Sequence, residues 1–304
     1  MNDTPAPPPR HVSVMPAEVL ALLDPQPGQV VVDATVGAGG HTRLLAERVG
    51  PTGRAIGLDR DAAMLDLARP RLAGLPVTLV QGGFERLRAV LNDLGVDAVD
   101  AVLADLGVCS DQLDAAERGF SFSTSGPLDM RMNPGEGEPA SSLLQWMNER
   151  ELADLFYTLG EERHSRRVAR KIVEVRQHQP LETTEQLAEV VRRCVPRAKG
   201  RHAIDPATRV FQALRIAVND ELRSLERLLA DLPRCLRSGG KAALISFHSL
   251  EDRRVKRAFK DRTTWEPLTK KPVTASEEET RSNPRARSAK LRAARRIEAS
   301  PAAL

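Results

Sequence analysis

From Asp33 to His41 the chain reads D-A-T-V-G-A-G-G-H, a β-rich run that gives way to glycines and then to a helical pattern. Glycines let a backbone come close to a ligand, and the free N–H groups at the start of the following helix lie beside it. Asp59 closes the next β-rich run about 20 residues beyond Gly39, the separation at which a carboxylate meets the hydroxyl pair of a ribose. Together these features point to a nucleoside cofactor. The glycines Gly37, Gly39 and Gly40 give G-x-G-G rather than G-x-G-x-x-G, and the acidic Asp33 lies just upstream. A carboxylate beside the glycines suits the cationic methionine end of S-adenosylmethionine and disfavours a pyrophosphate, so methyl transfer leads hydride transfer. Phe84, just after a third β-rich run and Gly82-Gly83, is placed to stack on an adenine. Asp105, at the end of D-A-V-L-A-D, faces the same edge.

These residues need a scaffold that brings their strand ends to one edge. The runs at 30–33, 54–59, 77–80 and 100–105 read as strands buried on both faces, and amphipathic segments at 41–49, 62–72 and 85–94 alternate with them. Such alternation means a doubly wound parallel sheet. After Cys109 it stops. A Gly/Ser-rich loop, 119–126, precedes about a hundred residues of helical pattern: one stripe of Leu144, Met147, Leu155, Phe156 and Leu159, another of Val168, Ile172 and Val175, and a capping box at Thr183…Gln186 before Leu187, Val190, Val191 and Cys194. Asp205-Pro206 then opens one long helix carrying Val210, Leu214, Leu222, Leu225, Leu229 and Leu232 inward. Strand character returns at A-A-L-I-S-F, 242–247, so the helical region reads as a domain inserted into the sheet domain. Ser246, His248 and Ser249 follow that strand at the cofactor's edge, and His248 could bind the substrate or hold local structure. The tail from Arg281 to Arg296 carries seven basic and no acidic residues, and its apolar positions suggest an edge strand.

Composition limits the alternatives. With 304 residues, 41% hydrophobic and 28% charged, the chain can bury a large core, and with only 3% aromatic residues that core must be aliphatic. Cys109, Cys194 and Cys235 are far apart and lack C-x-x-C spacing, which points to a reducing compartment and no zinc knuckle. No run approaches a membrane span, the first ten residues contain no signal core, and a cytoplasmic protein without a membrane partner is expected. G-x-S-x-G is absent, which argues against a serine hydrolase. The net charge of +4 is unevenly spread: Arg163, Arg166, Arg167, Arg170, Lys171 and Arg176 form one basic segment, and Arg253, Arg254, Lys256 and Arg257 another. Both suit RNA phosphates. A nicotinamide-dependent dehydrogenase would share the sheet and Asp59, and a non-catalytic RNA-binding or ribosome-assembly protein would share the basic runs.

The sequence resembles the bacterial small-subunit ribosomal RNA methyltransferase H family over nearly its whole length. The resemblance is carried by H-V-S-V-M-P (His11 to Pro16), D-A-T-V-G-A-G-G-H, G-L-D-R-D (Gly57 to Asp61), A-D-L-G-V-C-S-D-Q-L-D (Ala104 to Asp114), R-G-F-S-F (Arg118 to Phe122), G-P-L-D-M-R-M (Gly126 to Met132), R-V-F-Q-A-L-R-I-A-V-N-D-E-L (Arg209 to Leu222) and I-S-F-H-S-L-E-D-R-R-V-K (Ile245 to Lys256). It implies an α/β class I S-adenosylmethionine-dependent methyltransferase fold, a doubly wound, mostly parallel sheet with an inserted all-α substrate-recognition domain. The methyltransferase domain is expected at 1–112 and 221–304, the insertion at 113–220.

The implied reaction is N4-methylation of a cytidine (position 1402) in the decoding region of 16S rRNA within the small ribosomal subunit, with no DNA partner and with a homodimer left open. Gly39, Gly40, His41, Asp59, Phe84, Asp105 and Gln112 fall where the family contacts S-adenosylmethionine. Asp105, Ser110 and His248 are the catalytic candidates, and no metal is implied. Cys109 stands where the family usually shows serine. Many amino-directed DNA methyltransferases carry two prolines and an aromatic at this strand end. This chain has D-L-G-V instead, so a base-stacking ring would come from Phe120, Phe122 or Phe247.

Overall fold

The computed structural model describes residues 13–196 and 204–298, so the first ten residues and His11 and Val12 of the H-V-S-V-M-P segment lie outside the described residues. Within them the chain forms two compact units, one running up to Cys109 and resuming at Leu222, the other Ser110–Glu221. The first unit begins α1 (Pro16–Leu23), β1 (Val30–Asp33), α2 (Gly40–Val49), β2 (Arg54–Asp59), α3 (Ala62–Arg71), β3 (Val77–Gln81), α4 (Leu87–Asp93) and β4 (Val99–Asp105), with a 3-10 turn Phe84–Arg86 before α4. The second contains α5 (Ser110–Asp114), α6 (Ala140–Trp146), α7 (Glu149–Gly160), α8 (Ser165–Arg176), α9 (Thr184–Cys194) and α10 (Ala207–Asn219). The chain then continues through α11 (Glu221–Cys235), β5 (Leu236–Ser246), α12 (Ser249–Ala258), β6 (Trp265–Pro267), α13 (Glu277–Ser282), a 3-10 turn Pro284–Ser288 and β7 (Lys290–Arg296).

The seven strands form one sheet in the order β3-β2-β1-β4-β5-β7-β6. The first five are parallel, and β7 runs antiparallel to both β5 and β6. Each parallel strand is apolar on both faces because helices cover both. Val31, Leu103, Ile245 and Leu291 pack with Val19 and Leu23 of α1 and Leu45 and Val49 of α2. Val32, Ile56, Val102 and Leu244 pack with Leu91 of α4, Leu228 and Leu232 of α11 and Val255 of α12. No helix among the described residues is long and apolar enough to cross a membrane.

The tail strand is not at the edge. β7 lies between β5 and the three-residue β6, burying Leu291, Ala293 and Ala294. Its charged Arg292 is accommodated because Asp252 of α12 accepts from Nε at 2.7 Å. Gly57, two residues before Asp59, shows how tightly the sheet is packed. A Cβ there would lie 2.6 Å from Val36 Cγ2 and 2.9 Å from Leu79 Cδ2. Gly57→Ala is therefore expected to lower unfolding stability by about 1–3 kcal/mol through overpacking, measured by urea denaturation.

In the second unit α7 packs on α8 and α10. The stripe from Leu144 to Leu159 spans two helices rather than one, because Asn148 caps α7 in a reciprocal pairing with Glu151 that ends the preceding turn. The capping box at Thr183 and Gln186 forms as the sequence predicts. The long helix expected from Asp205 is interrupted. Pro206 is the cap of α10, Asp205 accepts from Ala207 N at 2.9 Å, and the helix ends at Asn219 because Asp220 turns left-handed at φ 49°. Aspartate tolerates that conformation through its short polar side chain. Buried Asn219 then ties the G-P-L-D-M-R-M segment down, donating to Met130 O and accepting from Met132 N, each at 2.8 Å.

Candidate active site

The loop from β1 to α2 is held from within. Asp33 is buried, its Oδ2 accepting from Thr42 Oγ1 at 2.7 Å and its Oδ1 from Thr35 N at 3.1 Å. Its charge is thus spent on the loop itself, and burial pushes its pKa up. Thr35 Oγ1 in turn accepts from Asp105 N at 2.6 Å, linking the loop to the end of β4. Gly37 and Gly39 take left-handed backbone at φ 51° and 88°. At Gly39 a Cβ would also approach Ala68 Cβ to 3.1 Å, so glycine is required on both counts. Gly40 and His41 form the first turn of α2, and His41 is buried.

Asp59 at the carboxyl end of β2 closes this loop from the side. Its Oδ2 accepts from Gly37 N at 2.7 Å and its Oδ1 from Asp61 N at 2.9 Å. Burial still pushes its pKa up to about 6. A carboxylate can accept roughly four hydrogen bonds, so each oxygen retains capacity for one ribose hydroxyl. Phe84, in the turn after β3, is half-buried against the core. The glycine cradle and the half-satisfied carboxylate at adjacent strand ends fit an adenosyl group.

Asp105 ends β4. Its Oδ2 lies 3.8 Å from His41 Nε2, and its buried Oδ1 has no hydrogen-bond partner. Burial raises the pKa to about 7, opposed by the charge of Arg285 and reinforced by those of Asp33 and Glu251. A half-buried carboxylate with one buried, unpartnered oxygen is costly to the fold and suited to receiving a proton. The structure thus brings Gly39, Gly40, His41, Asp59, Phe84 and Asp105 to one edge of the sheet. Ser110 and Gln112 lie on α5, at the start of the other unit, Ser110 half-buried and Gln112 buried.

Cys109 faces the cofactor loop. A Cβ on Gly37 would lie 3.7 Å from Cys109 Cβ, and Cys109 Sγ meets Met64 Sδ at 3.2 Å. A thiol suits that soft sulfur neighbour better than a hydroxyl.

His248 is at the cap position of α12, at the end of β5. Its Nε2 lies 3.1 Å from Glu251 Oε1, while Glu251 Oε2 accepts from Phe247 N at 2.8 Å and His248 N at 3.3 Å. His248 is thereby tied into local structure. The aromatic candidates are likewise engaged. Phe120 is buried with Arg118 over its ring at 5.7 Å, Phe122 meets Phe211 edge-on at 4.8 Å with Arg192 over it at 5.5 Å, and Phe247 packs on the core beneath Arg285. Glu251 and Arg285 are site residues that sequence reasoning missed. The available signal for Glu251 was its place three residues after His248 at a helix start; Arg285 was hidden in a uniformly basic tail.

A parallel five-strand run extended by an antiparallel β7 inserted between β5 and β6, with a glycine cradle after β1 and acids ending β2 and β4, defines a class I S-adenosylmethionine-dependent methyltransferase. The sequence profile of the MraW methylase family matches residues 9–297, and the chain belongs to that family. It is similar to the ribosomal RNA small subunit methyltransferase H of Sorangium cellulosum, at 54% identity over 96% of this chain and 94% of that one. It is similar also to those of Geobacter sulfurreducens, at 49% over 94% and 99%, and Deinococcus deserti, at 50% over 94% and 93%.

Proposed function

We propose that this protein methylates the exocyclic N4 amine of a cytidine in the decoding region of 16S rRNA, acting on the small ribosomal subunit. The observation that carries the reading is Asp105, a half-buried carboxylate whose buried Oδ1 has no hydrogen-bond partner, at the strand end beside the cofactor loop. The curated relatives are named for small-subunit ribosomal RNA. When bound, S-adenosylmethionine supplies an electrophilic sulfonium methyl group. Gly39 and Gly40 give its amino-acid end room, and Asp59 holds its ribose. A cytosine amine is a weak nucleophile because its lone pair is delocalised into the ring. Asp105 and the Leu106 and Gly107 carbonyls accept its N–H groups, favour the pyramidal geometry and leave the carboxylate to take the proton shed afterwards. His248 orients the end of β5.

The insertion supplies substrate contacts in this reading. Arg163, Arg166 and Arg167 are exposed and form no ion pair among the described residues, whereas Arg170 and Lys171 engage Glu149 and Glu174. Reversing the first three to glutamate is expected to lower methylation of small subunits by about tenfold or more at physiological salt, with unchanged cofactor affinity by calorimetry. The reading as a whole is tested by mass mapping of methylated nucleosides in small-subunit rRNA from cells with and without the protein. Retention of N4-methylcytidine in the decoding region without it would refute the proposal.

A further inference from the structure

We propose that Arg285 is a positioning residue for Asp105, clamping the carboxyl ends of β4 and β5 from the turn that precedes β7. The inference rests on the reading of Asp105 as the acceptor of the amine. Arg285 is brought to the site by the antiparallel return of the tail. One Nη2 hydrogen donates to the carbonyl of Val108, three residues beyond Asp105, and the guanidinium lies 5.9 Å from the ring centre of Phe247, which follows β5. The two loops that flank the acceptor are thus joined through one planar cation, a geometry that a single ammonium cannot reproduce.

The charged and titratable groups that act on Asp105 are His41 from α2, Asp33 from β1, Glu251 from α12 and Arg285 itself. Two of these are acids that disfavour the carboxylate, and Arg285 is the one permanent cation among them. Its charge favours the ionised form of Asp105, and its hydrogen bond to the Val108 carbonyl holds the backbone just beyond the Leu106 and Gly107 carbonyls assigned to the amine.

The test is the pH dependence of methyl transfer from labelled S-adenosylmethionine to isolated small subunits, with wild type, Arg285→Gln and Arg285→Lys. Loss of the cation makes Asp105 harder to ionise, so the acid limb of the Arg285→Gln profile should move up by about one pH unit, with a lower kcat. Arg285→Lys should return the limb close to the wild-type position while kcat stays depressed by about tenfold, because charge is restored without the fork. A merely structural arginine would lower activity in both variants without moving the limb, and that result would overturn the inference. Should Arg285→Gln fail to fold, the neutral variant Arg285→Met takes its place: an acid limb moved up by about one pH unit supports the clamp, and an unmoved limb overturns it. A wild type that does not methylate the subunit overturns both this inference and the reading beneath it, whereas an active wild type with an unmoved glutamine profile overturns this inference only.

Discussion

Asp105→Asn should abolish most methyl transfer and at the same time make the protein harder to unfold. The amide keeps the size of the side chain but cannot take a proton, and a positioned base contributes typically 10²–10⁴-fold, so kcat is expected to fall by about a hundredfold or more. The stability gain follows from burial. Asp105 has a folded pKa of about 7 against an ordinary value of 3.8. An acid whose folded pKa is raised binds its proton more tightly in the native state, so it favours the fold below the ordinary value, and this contribution is lost as pH rises from about 4 to about 7. Above that window the native state carries the full cost of a partly desolvated carboxylate. The asparagine variant should therefore melt higher than wild type at pH 8, by about 2–4 °C for each kcal/mol recovered, and the difference should shrink steadily as pH falls from about 7 to about 4. Melting curves across that range, run beside single-turnover methylation, check both halves. Equal melting at pH 8 would show that the charge is not costly, and normal turnover would remove Asp105 from the chemistry.

Asp59→Ala should weaken S-adenosylmethionine binding by about 5- to 150-fold, corresponding to roughly 1–3 kcal/mol of charge-assisted hydrogen bonding. Two losses add. The ribose loses its acceptors, and the Gly37 and Asp61 N–H groups that Asp59 now satisfies are released, loosening the loop. The same carboxylate, pushed up to about 6, gives wild-type affinity a pH dependence. As pH falls through about 6 the acceptor is protonated and binding should weaken, while the alanine variant should show a flatter profile. Isothermal titration at pH 5 and pH 8 distinguishes the two, and an unchanged affinity in the variant would refute the ribose assignment.

Much of this arrangement is legible in the sequence because buried parallel strands leave unbroken aliphatic runs. Val30–Asp33 and Arg54–Asp59 are found at the predicted residues, and the acids at the ends of β2 and β4 follow from those runs. The glycine cluster likewise announces left-handed backbone. Other features have no local signal. The break at Asp220 depends on one residue turning left-handed in a pattern that stays helical on either side. Hydrophobic periodicity does not report strand order, so β7, with only three apolar positions usable for burial, reads as an edge although it lies inside the sheet. Arg285 is one cation in a run that sequence reasoning treats as solvated, and only the return of the tail to β5 gives it a neighbour near Asp105.

The insertion of β7 between β5 and β6 also bears on how the protein comes to life in the cell. A growing chain emerges from its amino-terminal side, and domains fold as their segments become available. Here β5 and β6 are both made before the strand that must seat between them, and Arg285, proposed to position Asp105, arrives with that same late piece. A nascent molecule is thus barred from reaching a competent state until translation has passed Arg296, and a message that stops short of it should yield an inert product.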